Sequence, residues 1–473
     1  MAKIAAFDLG TTALKAVVLD EAQNIFFTGK ADIRTYERDG FSEQDPEEWW
    51  SAFVELSARF DSSSADYLIF SSQMQDLYFL GEDYRPVRNA VLYNDQRGQG
   101  YVKDVPPYIS EKTSIALDGT IPLVKLRWFE EHEPETLKKA RKILIGAKDY
   151  IIYKLTGRFV SDTTNMATSG FMDIRTLDYI NLEGIVEREK LPDIAAADEI
   201  AGTVTEEASL ITGYRTDAEV FVGAGDAGAS TFASGVIAPG EYSINLGTSG
   251  WISALSGSPR EGVFNLAAVN RGCYVNVIPI LNGANIHSWV SRMLFPEDGE
   301  RYSRLHELLS SGEDSNTDLL CLPYFLGERF PVADDKVRGA YIGLDFSTTR
   351  KDLARAALEG VAFSLKSGFG DTEAKSLTIS GGGAAETAWD QIFSDVFNVP
   401  VYVFGDSENL SAIALSAVVL YGKGMTSSYE AFIKDILHKQ DCVEYLPRPD
   451  KARHYEELFK RFLSVYPAVK DLT

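Results

Sequence analysis

The chain has 473 residues, 45% of them hydrophobic and 24% charged, and carries a net charge of −23. That length supports two or three domains with full cores, and the acidic field excludes nucleic acid and anionic membrane surfaces as partners. No apolar run approaches the roughly 18 residues that span a bilayer, and the opening MAKIAAFDLG reads as a strand instead of a cleavable leader, so a cytoplasmic protein is expected. Cys273, Cys321 and Cys442 are far apart and read as free thiols of a reducing compartment. The five histidines are scattered, with no pair at zinc-ligand spacing.

Residues 3–20 predict a β-hairpin. The apolar run 4–7 leads through Asp8 into the turn Gly10-Thr11-Thr12 and out to 16–19. Such a turn offers amides and two hydroxyls as a phosphate cradle, and Asp8 can hold a metal ion directly or through water. A plain Gly-Thr hairpin turn fits the same residues. Residues 41–50 predict a helix start, with Asp45 as N-cap, Pro46 in the first position and Glu47 and Glu48 in the first turn; the helix runs on to 60. Residues 67–70 predict a strand ending in Ser71-Ser72-Gln73-Met74-Gln75-Asp76, and the apolar stretch 90–93 ends in Asn94-Asp95-Gln96-Arg97. Polar side chains just past a strand's carboxyl end are where α/β sheets place ligands, although each cluster taken singly also suits an ordinary loop.

Helices are expected at 123–133 and 135–140, parted by Pro134, and a strand and helix at 142–155, closed by Thr156-Gly157. Residues 175–217 mix short helices and loops. Residues 219–230, EVFVGAGDAGAS, predict an apolar strand, a glycine-rich turn and a helix start around Asp226. The turn Pro239-Gly240-Glu241 leads to a strand at 242–246 and a second Gly-Thr turn, Gly247-Thr248-Ser249-Gly250. Two such turns half a chain apart suggest two related domains, 1–238 and 239–473, each giving a phosphate loop to a shared cleft. Beyond them come strands within 250–268 and 272–279, a helix at 282–294, and a long helix at 349–368 cut by Gly360. A strand at 377–380 ends in Gly381-Gly382-Gly383, where backbone can approach a ligand with no Cβ in the way. A helix at 387–397, a strand at 399–404 and helices at 410–420 and 453–466 complete the chain.

Gly223, Gly225 and Gly228 have the G-x-G-x-x-G spacing of a dinucleotide loop, after a strand and before a helix. Against that reading, Asp226 would set a carboxylate among amides meant for a pyrophosphate, and the motif follows a complete α/β half instead of opening its domain. The competing reading has the turn present Asp226 to a substrate. No G-x-x-x-x-G-K-[ST] loop and no H-R-D or D-F-G signature occurs.

Taken in order, these blocks resemble the FGGY family of carbohydrate kinases, within the actin-like ATPase superfamily. Asp8-x-Gly10-Thr11-Thr12 with Lys15 is similar to the family's first phosphate loop, and Glu43-Gln44-Asp45-Pro46 with Trp49-Trp50 to its next block. Gly225-Asp226, Pro239-Gly240-Glu241 and Gly247-Thr248-Ser249 resemble its catalytic and second phosphate segment. Pro323-Tyr324 with Gly327-Glu328-Arg329, Arg355-Ala356 with Glu359-Gly360, and Gly381-Gly382-Gly383 resemble its C-terminal blocks. The resemblance implies an α/β fold of two actin-like (ribonuclease H-like) domains, each a mixed sheet flanked by helices, with a nucleotide cleft between them. It implies a sugar kinase using ATP and Mg²⁺, with Asp226 accepting the proton of the attacking hydroxyl. Asp8 would help hold Mg²⁺, with Asp226 reaching it through water. Gly10, Thr11, Thr12, Lys15, Gly247 and Thr248 would surround the phosphates, and Gly382 and Gly383 would line the adenosine. Glu328 and Arg329 read equally as a structural ion pair or as ligand contacts.

Gln73, Met74, Gln75 and Asp95 fall in the family's substrate segments, and Met74 suits packing as well as contact. Ser72-Gln73-Met74-Gln75 and Tyr93-Asn94-Asp95-Gln96-Arg97 resemble Gly-Gln-Met-His-Gly and Trp-Asn-Asp-x-Arg of the family's xylulose kinases. Gln75 stands where those carry His, Asp76 where they carry Gly, and Ala227 replaces a polar amide beside the catalytic aspartate. Ala412 stands where a Gly-Ala-Ala near the nucleotide begins. The implied acceptor is an open-chain ketose, D-xylulose first, with another ketose, a polyol or an aldonate such as gluconate as alternatives. The rival from another class is a catalytically silent actin-like ATP-binding paralogue. Family members are often dimers, so a homodimer is implied by analogy alone.

Overall fold

Strand Lys3–Leu9 is apolar on both faces, and the fold buries both. Because successive side chains of a strand alternate, Ile4 and Ala6 join one core with Val17, Leu19 and Ile69, while Ala5, Phe7 and Leu9 join another with Leu14, Ala16, Val18, Leu68 and Phe70. The computed structural model describes the chain except residues 39, 116, 248–249, 297–298, 313–316, 329, 333, 335, 370–373, 405–408, 440–441 and 473, and the side chains of 369, 434 and 437–439.

The chain forms two units. The first comprises Met1–Ile237, Ser256–Asn276 and Asp406–Lys439; the second comprises Ala238–Leu255, Val277–Gly405 and Gln440–Thr473. In the first, the mixed sheet runs in the order Ile200–Thr203, Glu219–Phe221, Tyr67–Ser72, Lys3–Leu9, Ala13–Asp20, Ile25–Asp32. Lys3–Leu9 pairs antiparallel with Ala13–Asp20 across the Gly-Thr turn and parallel with Tyr67–Ser72. The short strand Ala224–Gly225 adds to Tyr67–Ser72 in parallel, setting Gly225 opposite Ser72.

Helix Pro46–Ser57 packs Trp49, Trp50, Phe53 and Leu56 on one face of this sheet. Asp45 caps it by accepting a hydrogen bond from the Glu47 amide, as expected, and it ends at Ser57, short of the predicted 60. The other face is covered by Asp226–Ala233 and Leu410–Gly422. Leu410–Gly422 is apolar all round because it lies within a core, and Ala412 is fully buried there.

The second unit repeats the motif. Glu241–Leu246 pairs antiparallel with Gly250–Ser256 across the second Gly-Thr turn and parallel with Ser376–Ser380, which continues in parallel to Val401–Phe404. Thr248 and Ser249 lie outside the described residues. Helix Thr387–Phe397 has the predicted bounds. The expected interruption at Gly360 does not occur: Arg350–Phe369 is one continuous helix. A Cβ at Gly360 would lie 2.3 Å from the Cys321 carbonyl oxygen, so this glycine lets strand Leu320–Leu322 pack against the helix. Strand Ile25–Asp32 and helices Arg301–Ser310 and Tyr429–Lys439 escape the sequence reading. Ile25 and Phe26 are exposed on a sheet edge, where the alternation that marks a half-buried strand is lost. Among the described residues no helix is long and apolar enough to cross a membrane.

Ile69 is fully buried among the core residues shared with Leu410–Gly422. Ile69→Ala is expected to cost about 2–5 kcal/mol, read as a lower urea midpoint with an unchanged slope. A loss below about 1 kcal/mol would contradict a tightly packed core at this face.

Candidate active site

Three parallel strand segments of the first unit end side by side. Asp8 lies at the end of Lys3–Leu9, in register with Ser71 of Tyr67–Ser72 and with Lys15 across the hairpin. The Ser71 hydroxyl donates to Asp8 Oδ1 at 2.7 Å. Ala224–Gly225 ends at the same level, and Asp226 is the first residue of the helix that follows.

The three glycines around Asp226 serve close packing. Gly223 has φ +70°, and a Cβ on it would lie 1.9 Å from the Phe70 carbonyl oxygen. A Cβ on Gly225 would lie 2.6 Å from Met74 Sδ, and Gly228 sits against Thr164. Their amides are not displayed to a pyrophosphate: Gly223 N donates to the Ala197 carbonyl at 3.0 Å and Gly225 N to Thr164 Oγ1 at 2.6 Å. Residue spacing alone therefore misdirects toward a dinucleotide loop.

Gly225 N also lies 3.2 Å from Asp162 Oδ1, which accepts the Asn165 amide at 2.9 Å and the Thr164 hydroxyl. Asp162 Oδ2 meets the Lys148 ammonium at 2.7 Å, and Lys148 also meets Asp149 at 2.9 Å. All four side chains are fully buried. Sequence reading missed this hub. Its signal was Asp162 as an N-cap before Thr163–Met166, in Ser161-Asp162-Thr163-Thr164-Asn165.

Asp226 itself is open to solvent. The protein packed round its carboxyl removes much of its hydration, the negative charge of Asp8 adds to this, and together they push it up to about 7 against the opposing Ala227 amide. That amide donates to Asp226 Oδ1 at 2.7 Å. The arrangement is an acidic pair at the ends of parallel strands, with one member poised near neutrality, which suits a general base.

Gln44 ties the neighbouring blocks together. Its amide donates to the Thr11 carbonyl at 2.6 Å, and its Oε1 accepts from Trp49 Nε1 at 2.8 Å and Gln73 Nε2 at 3.0 Å. The first Gly-Thr turn, the helix after Asp45 and the segment Gln73–Asp76 thus share one buried amide. In that turn Gly10 N donates to the Ala13 carbonyl at 3.1 Å, Thr11 and Lys15 are half-buried and Thr12 is exposed.

The predicted substrate residues occupy different depths. Gln73 is buried on Gln44, and Met74 packs against Gly225. Gln75 is half-buried, with φ +62° and its amide 3.2 Å from the Thr168 carbonyl. Asp95 is fully buried, and both its oxygens are engaged. Oδ1 accepts from Arg97 Nε and the Arg97 amide, each at 2.9 Å; Oδ2 accepts from Arg97 Nη2 and the Ser42 amide, each at 2.8 Å. The guanidinium stacks on Phe41 at 4.4 Å and reaches Glu43 at 2.7 Å. Burial alone would raise the Asp95 carboxyl, but the hydrogen bonds from Arg97 outweigh it and hold it below the usual carboxylate range.

In the second unit, Gly247, Gly382 and Gly383 line one cavity of about 1120 Å³. Gly381, at φ +87°, and Gly383 are small because the Leu246 backbone and Cβ press on them, whereas Gly382 has open space where a Cβ would be. At the cavity's other side buried Glu386 accepts from His306 Nδ1 at 2.9 Å and faces His287 Nε2 at 3.4 Å. Burial opposes its charge, and the hydrogen bonds from the two imidazoles overcome that and lower its carboxyl. Glu328 is structural: Oε1 accepts the Leu281 amide at 2.8 Å and Oε2 the Asn282 side chain at 3.1 Å. Arg329 and Thr248 lie outside the described residues. Ala412 lies in the first unit's core, within a run that covers the sheet.

Asp95→Asn leaves a buried guanidinium short of one counter-charge and is expected to cost about 3 kcal/mol at pH 7. The Asp95 carboxyl is depressed in the fold, so its stabilisation is complete above the unfolded value of about 3.9 and is lost as pH falls through the lower folded value. The gap in unfolding free energy between the two proteins is therefore full at pH 7 and narrows below about pH 4. A gap that stays constant into acid would contradict the charged clamp.

Residues 3–233 match the FGGY family of carbohydrate kinases, N-terminal domain, and residues 242–414 match its C-terminal domain. The chain is 27% identical to the xylulose kinase of Lactococcus lactis over 502 aligned positions, covering all of this chain and 98% of that one. The crystal structure of a xyloylose kinase from Brucella ovis superposes with a TM-score of 0.87 at 27% identity, over the full length of both chains. That of gluconate kinase from Lactobacillus acidophilus superposes at 0.85 and 26% identity, covering 99% of this chain and 98% of that one. The two matched domains account for most of the sequence and contain Asp8, Asp226 and the triple glycine: the chain belongs to the FGGY family of carbohydrate kinases.

Proposed function

We propose that this kinase transfers the γ-phosphoryl group of ATP to a hydroxyl of an open-chain ketose, D-xylulose first, with Asp226 as the general base. The observation that carries this is the placement of Asp226: open to solvent, first residue of its helix, and fixed by a buried turn beside the segment Gln73–Met74–Gln75. A base near neutrality takes the hydroxyl proton as the oxygen attacks, and the remaining catalysis is positioning and charge stabilisation.

Asp8 and Asp226 repel each other through like charge, and Asp8 also acts through its Ser71 hydrogen bond. Among the described residues no cluster of three or more His, Cys, Asp or Glu is arranged to hold a metal. Mg²⁺ takes one or two carboxylates and completes its shell with water and phosphate oxygens, so Asp8 with Asp226 is the donor set proposed for it. When bound, the ion neutralises phosphate charge; Asp8 would hold it, with Asp226 reaching it through water. In the first unit Gly10, Thr11, Thr12 and Lys15 are the proposed phosphate contacts, and in the second Gly247 lines the cavity proposed for the nucleotide. Gly382 and Gly383 would line the adenosine, Gly382 leaving the open face.

On the sugar side, Met74 and Gln75 would form the wall, with Gln73 and Asp95 fixing it from beneath through Gln44 and Arg97. D-xylulose leads because relatives named xylulose kinase match end to end; gluconate is the second reading because a gluconate kinase superposes equally well. The three free cysteines suit a cytoplasmic enzyme, and a homodimer is the assembly to test first.

Asp226→Asn is expected to lower kcat by about 10³-fold while ATP binding by calorimetry changes less than about twofold. A variant retaining more than a tenth of wild-type kcat would refute the assigned base. Chelation with EDTA should abolish sugar-dependent ADP release and added Mg²⁺ should restore it; turnover persisting in EDTA contradicts the metal assignment. D-xylulose should exceed D-gluconate in kcat/KM by about tenfold or more, and the reverse order makes the aldonate the substrate.

A further inference from the structure

Helix Pro122–His132 carries a lysine where its buried face meets the proposed sugar wall. Lys125 is fully buried, and its ammonium donates to the Leu92 carbonyl at 2.6 Å and to the Gln75 carbonyl at 3.3 Å. These carbonyls belong to two different segments. Gln75 lies inside Gln73–Asp76, and Leu92 opens the run that leads to Asp95 and Arg97. Gln75 has the left-handed backbone that an L side chain rarely adopts, at φ +62°, so its carbonyl is aimed by a turn that needs an anchor.

The residue after it is Asp76, also fully buried. Neither carboxylate oxygen has a full hydrogen-bond partner; the Lys125 charge and the Gln73 amide are what oppose its desolvation. The negative charges of Asp76 and Asp95 oppose the burial of the Lys125 ammonium, and the charge of Arg97 adds to it. Asp226 acts on Asp76 in turn, so the pair lies within electrostatic reach of the proposed base. Burial pushes the Lys125 ammonium down to about 7 against the opposing charges of Asp76 and Asp95, so its place rests on the two hydrogen bonds, which hold the two segments together. Asp76 is also a position at which this chain departs from the Gly of the xylulose kinases it resembles.

We propose that Lys125 is a positioning residue for the sugar: its two carbonyl contacts brace the backbones of the two substrate segments at a fixed separation. This rests on reading those segments as the sugar wall. Lysine suits the task because the donors of a compact ammonium on a long stem can serve carbonyls of two segments at once. A lysine with a solely structural role would affect stability and leave sugar affinity alone once stability is restored.

The test compares wild type with Lys125→Met, Asp76→Asn and the double variant, measuring melting temperature, kcat, and KM for the sugar and for ATP. Lys125→Met removes both hydrogen bonds and deepens the desolvation of buried Asp76, so it is expected to melt lower, whereas the double variant also relieves that carboxyl and should regain stability. Sugar KM should rise about tenfold or more in Lys125→Met and stay raised in the double variant, with ATP KM within about twofold of wild type. If sugar KM returns to the wild-type value as stability returns, or never moves in an active enzyme, Lys125 has no positioning role. A wild-type enzyme that turns over no sugar at all would overturn the sugar-wall reading itself, an outcome distinct from an unmoved KM. Should Lys125→Met fail to fold, the double variant alone decides.

Discussion

One hydrogen bond determines where the proposed base sits: the Gly225 amide donating to the Thr164 hydroxyl, backed by Asp162 and the buried ammonium of Lys148. A buried amide left without its acceptor costs about 1–3 kcal/mol, so this contact holds the chain to one path as it leaves the strand. From there Asp226 has one exit direction. The glycines at 223 and 225 are consequences of the same path, since Phe70 and Met74 leave no room for a Cβ. The Lys148 charge in turn is supported by two carboxylates in a fully buried cluster. The active-site geometry is therefore held by a polar network behind the sheet ends as much as by the sheet.

The sheet supplies the level at which groups meet. Parallel pairing of Lys3–Leu9 with Tyr67–Ser72, and of Tyr67–Ser72 with Ala224–Gly225, brings Asp8, Ser71 and Gly225 to adjacent positions. The second unit repeats the hairpin and the parallel partner, with Gly381–Gly383 following Ser376–Ser380 as Gln73 follows Tyr67–Ser72. One supersecondary unit, used twice, places Asp8 and Asp226 at its strand ends in one copy and a glycine-lined cavity in the other. What differs is the residue after the strand end: polar side chains at Gln73–Asp76 in one copy, bare backbone at Gly381–Gly383 in the other.

Much of this was legible because it is local. The hairpins, the Asp45 cap, helix Thr387–Phe397 and the strand before Asp226 follow from periodicity and capping chemistry in short windows. The dinucleotide spacing of Gly223, Gly225 and Gly228 was correctly set aside because a carboxylate sits among its amides. Features that depend on distant partners were not legible. Gly360 looked like a break until Cys321 was seen against it, and Asp95 looked like a ligand contact before Arg97 and Ser42 were found on its oxygens. Asp162, Thr164 and Lys148 carry no motif, since their meaning lies in a contact about 60 residues away at Gly225. Lys125 escapes notice for the same reason, reading alone as a helix lysine, and Asp76 is legible only as a polar residue past a strand end.

The most direct measurement is steady-state kinetics of Thr164→Val, which removes the hydroxyl that accepts from Gly225 and preserves side-chain volume. If that bond positions the base, kcat falls about tenfold to a hundredfold while KM for sugar and for ATP stay within about twofold. A variant with wild-type kcat would contradict the claim that the buried turn at Gly225 sets the chemistry of Asp226.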